Sequence, residues 1–216
     1  MKKLLVVDGN SILNRAFYGV KLLSNKNGLY TNAVFGMINI LMKQVEALKP
    51  DYAAVAFDLK APTFRHKMYD AYKAGRHAMP DELRVQFPYA KRVLEVMGFA
   101  VLEKEGYEAD DILGTIATLS AKQGMSCYLV TGDRDALQLI NPCVHVLLAT
   151  NNDTIDYTEQ VRMTNPADAF DAARVSGSML MMQKVTVSTG GVTKWAYRLA
   201  ASPIVYEYSK LIKQII

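Results

Sequence analysis

Glu108-Ala109-Asp110-Asp111 packs three carboxylates into four residues, immediately before an apolar run with helical spacing. Carboxylates so crowded repel one another at neutral pH, and a nearby cation, usually a metal ion, relieves that repulsion. Further acids stand where strand-like runs end: Asp8 after Leu4–Val7, Asp58 after Ala53–Phe57, and Asp133 and Asp135 after Tyr128–Thr131. Four separate segments thus offer oxygen ligands, accompanied by neither cysteine nor histidine. Oxygen-only sets suit hard cations such as Mg²⁺ or Mn²⁺ rather than Zn²⁺. Taken singly, Asp8 reads as a turn residue, Asp110 or Asp111 as a helix cap, and Asp133 and Asp135 as a turn and a cap. All seven on one predicted edge point to a shared cation site.

The elements that must position these acids follow from periodicity and punctuation. Leu4–Val7 reads as a buried parallel strand, followed by a turn in which Asn10 or Ser11 could cap a short helix through about Tyr18. Val34, Met37, Ile38, Leu41, Met42 and Val45 keep helical spacing within Thr31–Leu48, with Pro50 just beyond. Tyr52–Phe57 reads as a second strand and Asp81–Gly98 as a helix that Pro88 must kink or break. Phe99–Leu102 reads as a strand, Asp111–Lys122 as a helix ended by Gly124, Ser126–Thr131 as a strand, Asp135–Ile140 as a helix and Val144–Leu148 as a strand. Such alternation predicts an α/β fold, a mainly parallel sheet with helices on both faces. Ligands of such sheets collect outside the carboxyl ends of the strands, where Asp8, Asp58 and Asp133 fall. Glu108 and Asp111, three residues apart, are expected on one face at a helix N-terminus, where the backbone favours negative charge.

Between Asp58 and Pro80 the character changes. Lys60, Arg65, His66, Lys67, Lys73, Arg76 and His77 are interleaved with Phe64, Tyr69 and Tyr72, and Asp70 is the lone acid. Taken alone, this is a solvated basic loop. Beside a carboxylate cluster it reads as a nucleic-acid surface, because cations neutralise phosphates and aromatic rings stack on unpaired bases. A basic, aromatic surface next to a hard-cation site is what two-metal phosphodiester hydrolysis requires.

At 216 residues, half of them hydrophobic, the chain is long enough for one substantial domain. Its formal charge of +4 is mild, so local clustering carries the information. Cys127 and Cys143, each in an apolar run, read as small buried thiols in a reducing, cytoplasmic setting. Leu4–Val7 is too short for the apolar core of a signal peptide, and no segment is long enough to span a membrane.

Val7-Asp8-Gly9-Asn10-Ser11, Arg15-Ala16-Phe17-Tyr18, Ala56-Phe57-Asp58, Pro62-Thr63-Phe64-Arg65-His66, Tyr72-Lys73-Ala74-Gly75-Arg76, Met79-Pro80-Asp81-Glu82-Leu83, Gly106-Tyr107-Glu108-Ala109-Asp110-Asp111 and Thr131-Gly132-Asp133-Arg134-Asp135 stand in the order and spacing of the 5′-nuclease family. Residues 1–158 resemble most of all the N-terminal 5′–3′ exonuclease domains of bacterial DNA polymerase I. The resemblance implies a PIN-like fold with a helical arch, up to two Mg²⁺ or Mn²⁺ ions, and cleavage of DNA with a 5′ flap or free 5′ end. It implies that Asp8, Asp58, Glu108, Asp110 and Asp111 hold the first ion and Asp133 and Asp135 the second. Lys73 and Arg76 are implied at the scissile phosphate, with Arg65 and Tyr72 nearby. Arg15, Lys60, Lys67 and Tyr69 complete the expected DNA contacts.

Residues 159–216 depart from the family. Its Gly-Asp-x-x-Asp motif, which completes the second metal group, and its glycine-rich helix-hairpin-helix are not recognisable. Asp168 and Asp171 have the motif's interval, but their context reads as ordinary helix. Islands at Gly191-Val192-Thr193-Lys194 and Tyr206-Glu207-Tyr208 suggest a degenerate helical segment, diverged or scrambled by compensating frame errors. The expectation is a monomeric nuclease domain with no fused polymerase, its second ion weakened. The rival is a nuclease-like protein that binds branched DNA and cuts slowly or not at all.

Overall fold

The computed structural model describes residues 1–69, 72, 73, 75, 78–150 and 154–158. Arg76, Asp168, Asp171 and the expected degenerate segment lie outside the described residues. The fold is a six-stranded sheet in the order β3-β2-β1-β4-β5-β6. Its strands are β1 (Lys3–Asp8), β2 (Tyr52–Phe57), β3 (Ala100–Glu103), β4 (Ser126–Thr131), β5 (Val144–Ala149) and β6 (Thr154–Tyr157). The first five pair in parallel and β6 adds antiparallel to β5. The sheet is therefore mostly parallel, as expected, with an antiparallel edge that the sequence reading did not include.

Helices α1 (Gly9–Gly19), α2 (Asn32–Leu48), α3 (Phe64–Met68), α4 (Asp81–Arg84), α5 (Phe87–Val96) and α6 (Ala109–Lys122) connect these strands. Central β1 is buried on both faces, which is why Leu4–Val7 is a continuous apolar run. Leu4 and Val6 pack with Ile112, Leu113 and Ile116 of α6 on one face. Leu5 and Val7 pack with Ile12 of α1, Met37 and Leu41 of α2 and Leu94 of α5 on the other. Helices thus cover both faces.

Local chemistry accounts for most boundaries. The Asp81–Gly98 stretch is broken between α4 and α5, and Pro88 sits in the first turn of α5, where its missing N–H costs nothing. Gly124, with φ of +68°, follows α6 in the left-handed region that glycine favours. Two expectations need correction. Neither Asn10 nor Ser11 caps α1, because the helix begins directly after β1 and Asp8 itself caps it, its Oδ1 accepting from Ser11 N at 3.0 Å. Arg134–Leu139 forms a 3₁₀ helix capped by Asp133, whose Oδ1 accepts from Asp135 N at 2.9 Å.

Candidate active site

Beyond the carboxyl ends of β1, β2 and β4 the chain leaves a cavity of about 520 Å³, lined by Asp8, Asp58, Glu108, Asp110 and Asp133, with Lys73 also on its wall. Strand order reverses between β1 and β4, and such a switch point is where open α/β sheets bind ligands.

Hydrogen bonds fix the acids from below. Asp8 Oδ2 accepts from Thr131 Oγ1 at 2.8 Å, and Ser11 Oγ accepts from Gly132 N at 3.0 Å, stitching the end of β1 and the first turn of α1 to the turn after β4. Asp58 is held by α6 and by the first turn of α1. Its Oδ1 accepts from Ala109 N at 2.6 Å and its Oδ2 from Asn10 Nδ2 at 3.2 Å, while its own N–H donates to Asn10 Oδ1 at 3.0 Å. The cavity's Asn10, Asn14 and Tyr18 were not singled out as site residues, although Asn10 and Tyr18 stand within the recognised motifs. Tyr18 is 72% exposed.

The charges in this cavity do not balance. Burial pushes the Asp8 carboxyl up to about 6, with Asp58 and Asp133 adding to the rise against the opposing hydrogen bonds from Ser11 and Thr131. Asp110 is raised well above the usual range, first by burial and then by the charges of Asp8, Asp133, Asp58 and Asp111. No group of three His, Cys, Asp or Glu side chains among the described residues is closed tightly enough to hold a metal ion as it stands. Several acids instead have their oxygens turned to protein donors. The excess negative charge around Asp110 nevertheless fits a hard divalent cation, which oxygen ligands prefer and which removes the repulsion.

Glu108 is compensated from within. Its Oε1 accepts from Lys73 Nζ at 2.6 Å and its Oε2 from Tyr72 Oη at 3.1 Å. Burial opposes its ionisation, but the bond and charge of Lys73, the charge of Arg65 and the Tyr72 hydroxyl hold it below the usual carboxylate range. Lys73 reaches Glu108 from a backbone with φ of +60°, a strained conformation for a side-chain-bearing residue.

Three residues expected at the ions or the phosphate lie off the cavity wall. Arg65, expected near the phosphate, is 1% exposed and grips Asp111 with two bonds of 2.7 Å. Asp111, expected on the first ion, is 2% exposed and turned to that arginine. Asp135 is not on the cavity wall; burial and Asp133 raise its carboxyl to about 6, and its buried Oδ1 has no hydrogen-bond partner. The reason is rotation, since successive residues of a helical turn point in different directions. Arg15 lines an adjoining cleft of about 860 Å³ with Ser11, Tyr18 and Lys43, and its Nε donates to Thr150 O at 3.2 Å. Lys60, Lys67 and Tyr69 are exposed.

The chain is thus a mostly parallel α/β domain with an acidic cavity at its switch point. It belongs to the family described as 5′-3′ exonuclease, N-terminal resolvase-like domain, whose model matches residues 3–167. It is 43% identical over 148 residues to DNA polymerase I of Caldicellulosiruptor bescii, covering 68% of this chain and 17% of that protein. Identity to DNA polymerase I of Bacillus subtilis is 46% over 138 residues, covering 64% of this chain and 16% of the relative. The chain spans about a sixth of the length of these polymerases. Its fold is shared with the bacteriophage T5 flap endonuclease, solved in complex with DNA and metal ions, at a TM-score of 0.57 and 16% identity, covering 95% of this chain and 86% of that one. Among the described residues no helix is long and apolar enough to cross a membrane.

Proposed function

We infer that this chain is a divalent-metal-dependent 5′–3′ exonuclease and 5′-flap endonuclease that hydrolyses phosphodiester bonds of DNA. The observation that carries the reading is Asp110, raised by burial and surrounding acids, on the same cavity as Asp8, Asp58, Asp133 and the Lys73 amine. Asp8, Asp58, Glu108 and Asp110 would hold one Mg²⁺ or Mn²⁺ ion, and Asp133 a second. When bound, such ions supply a water nucleophile of lowered pKa and stabilise the charge on the leaving oxygen. Lys73 stands where it can exchange Glu108 for a phosphate oxygen, and Tyr72 beside it offers a ring and a hydroxyl. Exposed Lys60, Lys67 and Tyr69 provide charge and stacking surface for an unpaired 5′ strand. Metal ions and DNA in the T5 structure and the nuclease family of this chain support the reading.

A second reading, binding of branched or 5′-ended DNA with weak or no cutting, is favoured by two observations. Asp135 is absent from the cavity wall, and the motif that would complete the second ion's carboxylates is unrecognisable. Incubation of end-labelled 5′-flap DNA with the chain in Mg²⁺ and in Mn²⁺ separates the two. The expected outcome is cleavage by the wild type and a loss of at least about a hundredfold in Asp110→Ala. Flap binding without cutting establishes the second reading; cutting by Asp110→Ala at the wild-type rate removes the site assignment.

A further inference from the structure

Arg65 and Asp111 are two charged residues of this region that do not line the cavity. Two parallel bonds of 2.7 Å join them at 1% and 2% exposure. Burying such a pair removes both charges from water, so its geometry must be held closely for the pair to be tolerated. The surroundings hold it. Asp111 Oδ2 also accepts from Glu108 N at 2.9 Å, closing a capping box at the start of α6. Phe64 N donates to Gly106 O at 3.0 Å, the Phe64 ring lies 5.7 Å from that of Tyr107, and the Arg65 guanidinium lies 4.5 Å from the centre of the Phe64 ring. Arg65 Nη1 stands 3.7 Å from Glu108 Oε2, the oxygen that Tyr72 also bonds.

We propose that Arg65 and Asp111 are a buried positioning pair, locking α3 to the first turn of α6 so that Tyr72 and Lys73 meet Glu108, rather than a DNA contact and a metal ligand. The pair sets the distance between two halves of the site. Asp111 fixes the α6 turn that carries Glu108 and Asp110, while Arg65 fixes the helix that leads the chain to Tyr72 and Lys73. The consequence for catalysis rests on the nuclease reading above; the mutual dependence of the two residues does not.

The test uses the full chain as wild type, Arg65→Lys, Asp111→Asn, Arg65→Met and the double variant Arg65→Met with Asp111→Asn, in which the introduced amide oxygen can still accept from Glu108 N. Four quantities are read: Tm, Mn²⁺ binding by calorimetry with the metal alone, affinity for uncut 5′-flap DNA, and the single-turnover cleavage rate. Arg65→Met and Asp111→Asn each strand a buried charge or polar group and lower Tm by about 10 °C, and the double variant recovers most of that loss. In the double variant Mn²⁺ stoichiometry and flap affinity stay at wild-type values while the single-turnover rate falls about tenfold to a hundredfold, because the halves of the site lose register. Arg65→Lys, which keeps the charge, retains more of the rate than Arg65→Met. Loss of one Mn²⁺ equivalent in the double variant overturns the proposal by making Asp111 an ion ligand. Weakened flap binding with an unchanged rate overturns it by making Arg65 a DNA contact, and a double variant as unstable as the sum of the singles overturns it outright. If the wild type neither cuts nor binds Mn²⁺, the nuclease reading fails while the Tm comparison still judges the pair.

Discussion

Asp110 and Asp111 are neighbours in one helical turn and live in opposite electrostatic regimes. Asp111 points into the protein, where Arg65 supplies two charge-assisted bonds and the Glu108 amide a third. Asp110 points to the cavity, where the groups that perturb it after burial are all carboxylates. The inner acid is compensated by the chain's own cation, and the outer one is surrounded by other acids. The difference teaches where stability and function separate: a self-neutralised acid holds the fold together, whereas an unneutralised one costs stability until something binds.

The sharpest way to break this comparison is to neutralise each acid alone. Asp111→Asn leaves a buried arginine underpaired and destabilises by about 3–5 kcal/mol. Asp110→Asn relieves repulsion and raises the Tm of the metal-free chain. Thermal melts in EDTA check both, and shifts of the same sign would show that the two acids share one environment.

The next effect comes from pH. Asp8 and Asp135 have carboxyls raised to about 6 and Asp110 is raised as well, so the folded chain binds more protons than the unfolded one. The contribution of Asp8 and Asp135 to stability is full below the unfolded carboxylate value near 4 and is lost as pH rises through about 6, and Asp110 acts in the same direction. Glu108, held low, contributes the other way, with stability present above its unfolded value and lost on acidification. Divalent cations in the cavity oppose the loss at Asp8 and Asp110 only when these are ionised. Saturating Mg²⁺ therefore raises Tm more at pH 8 than at pH 5, and an equal rise at both would separate the ion from these carboxylates.

A smaller effect is steric. A Cβ at Gly9 would lie 2.5 Å from the Phe57 ring, so Gly9→Ala must displace the β1–α1 junction carrying Asp8 or the strand end before Asp58. Overpacking of this kind costs about 1–3 kcal/mol, and urea denaturation measures it. The smallest expected change is at the surface. Lys67→Ala removes one exposed cation, and the slope of log affinity for flap DNA against log salt falls by about 1 with the bound-state rate unchanged.

Much of this was legible in the residues. Leu4–Val7 and Ser126–Thr131 are recognisable strands because central parallel strands are buried on both faces, and Asp8, Asp58 and Asp133 were correctly expected on one edge. Less legible were features that depend on distant partners. The N-terminus of α2 is capped not by its own Thr31 but by Gln86, whose Oε1 accepts from Ala33 N at 2.8 Å and from Val34 N at 3.2 Å. β6 escaped notice because a short edge strand with two exposed residues carries little apolar pattern.

By itself the sequence determined the succession of β1 to β5 along the chain, the break of the Asp81–Gly98 stretch near Pro88, the end of α6 before Gly124 and the acids that reach the carboxyl edge, since all of these follow from local periodicity and backbone preference. The tertiary structure alone decided which acids meet the cavity and which meet a cation of the chain. Asp111 is claimed by Arg65, 46 residues away. Direction around a helix and the identity of a distant partner are set by packing, and packing is a property of the whole chain rather than of the motif.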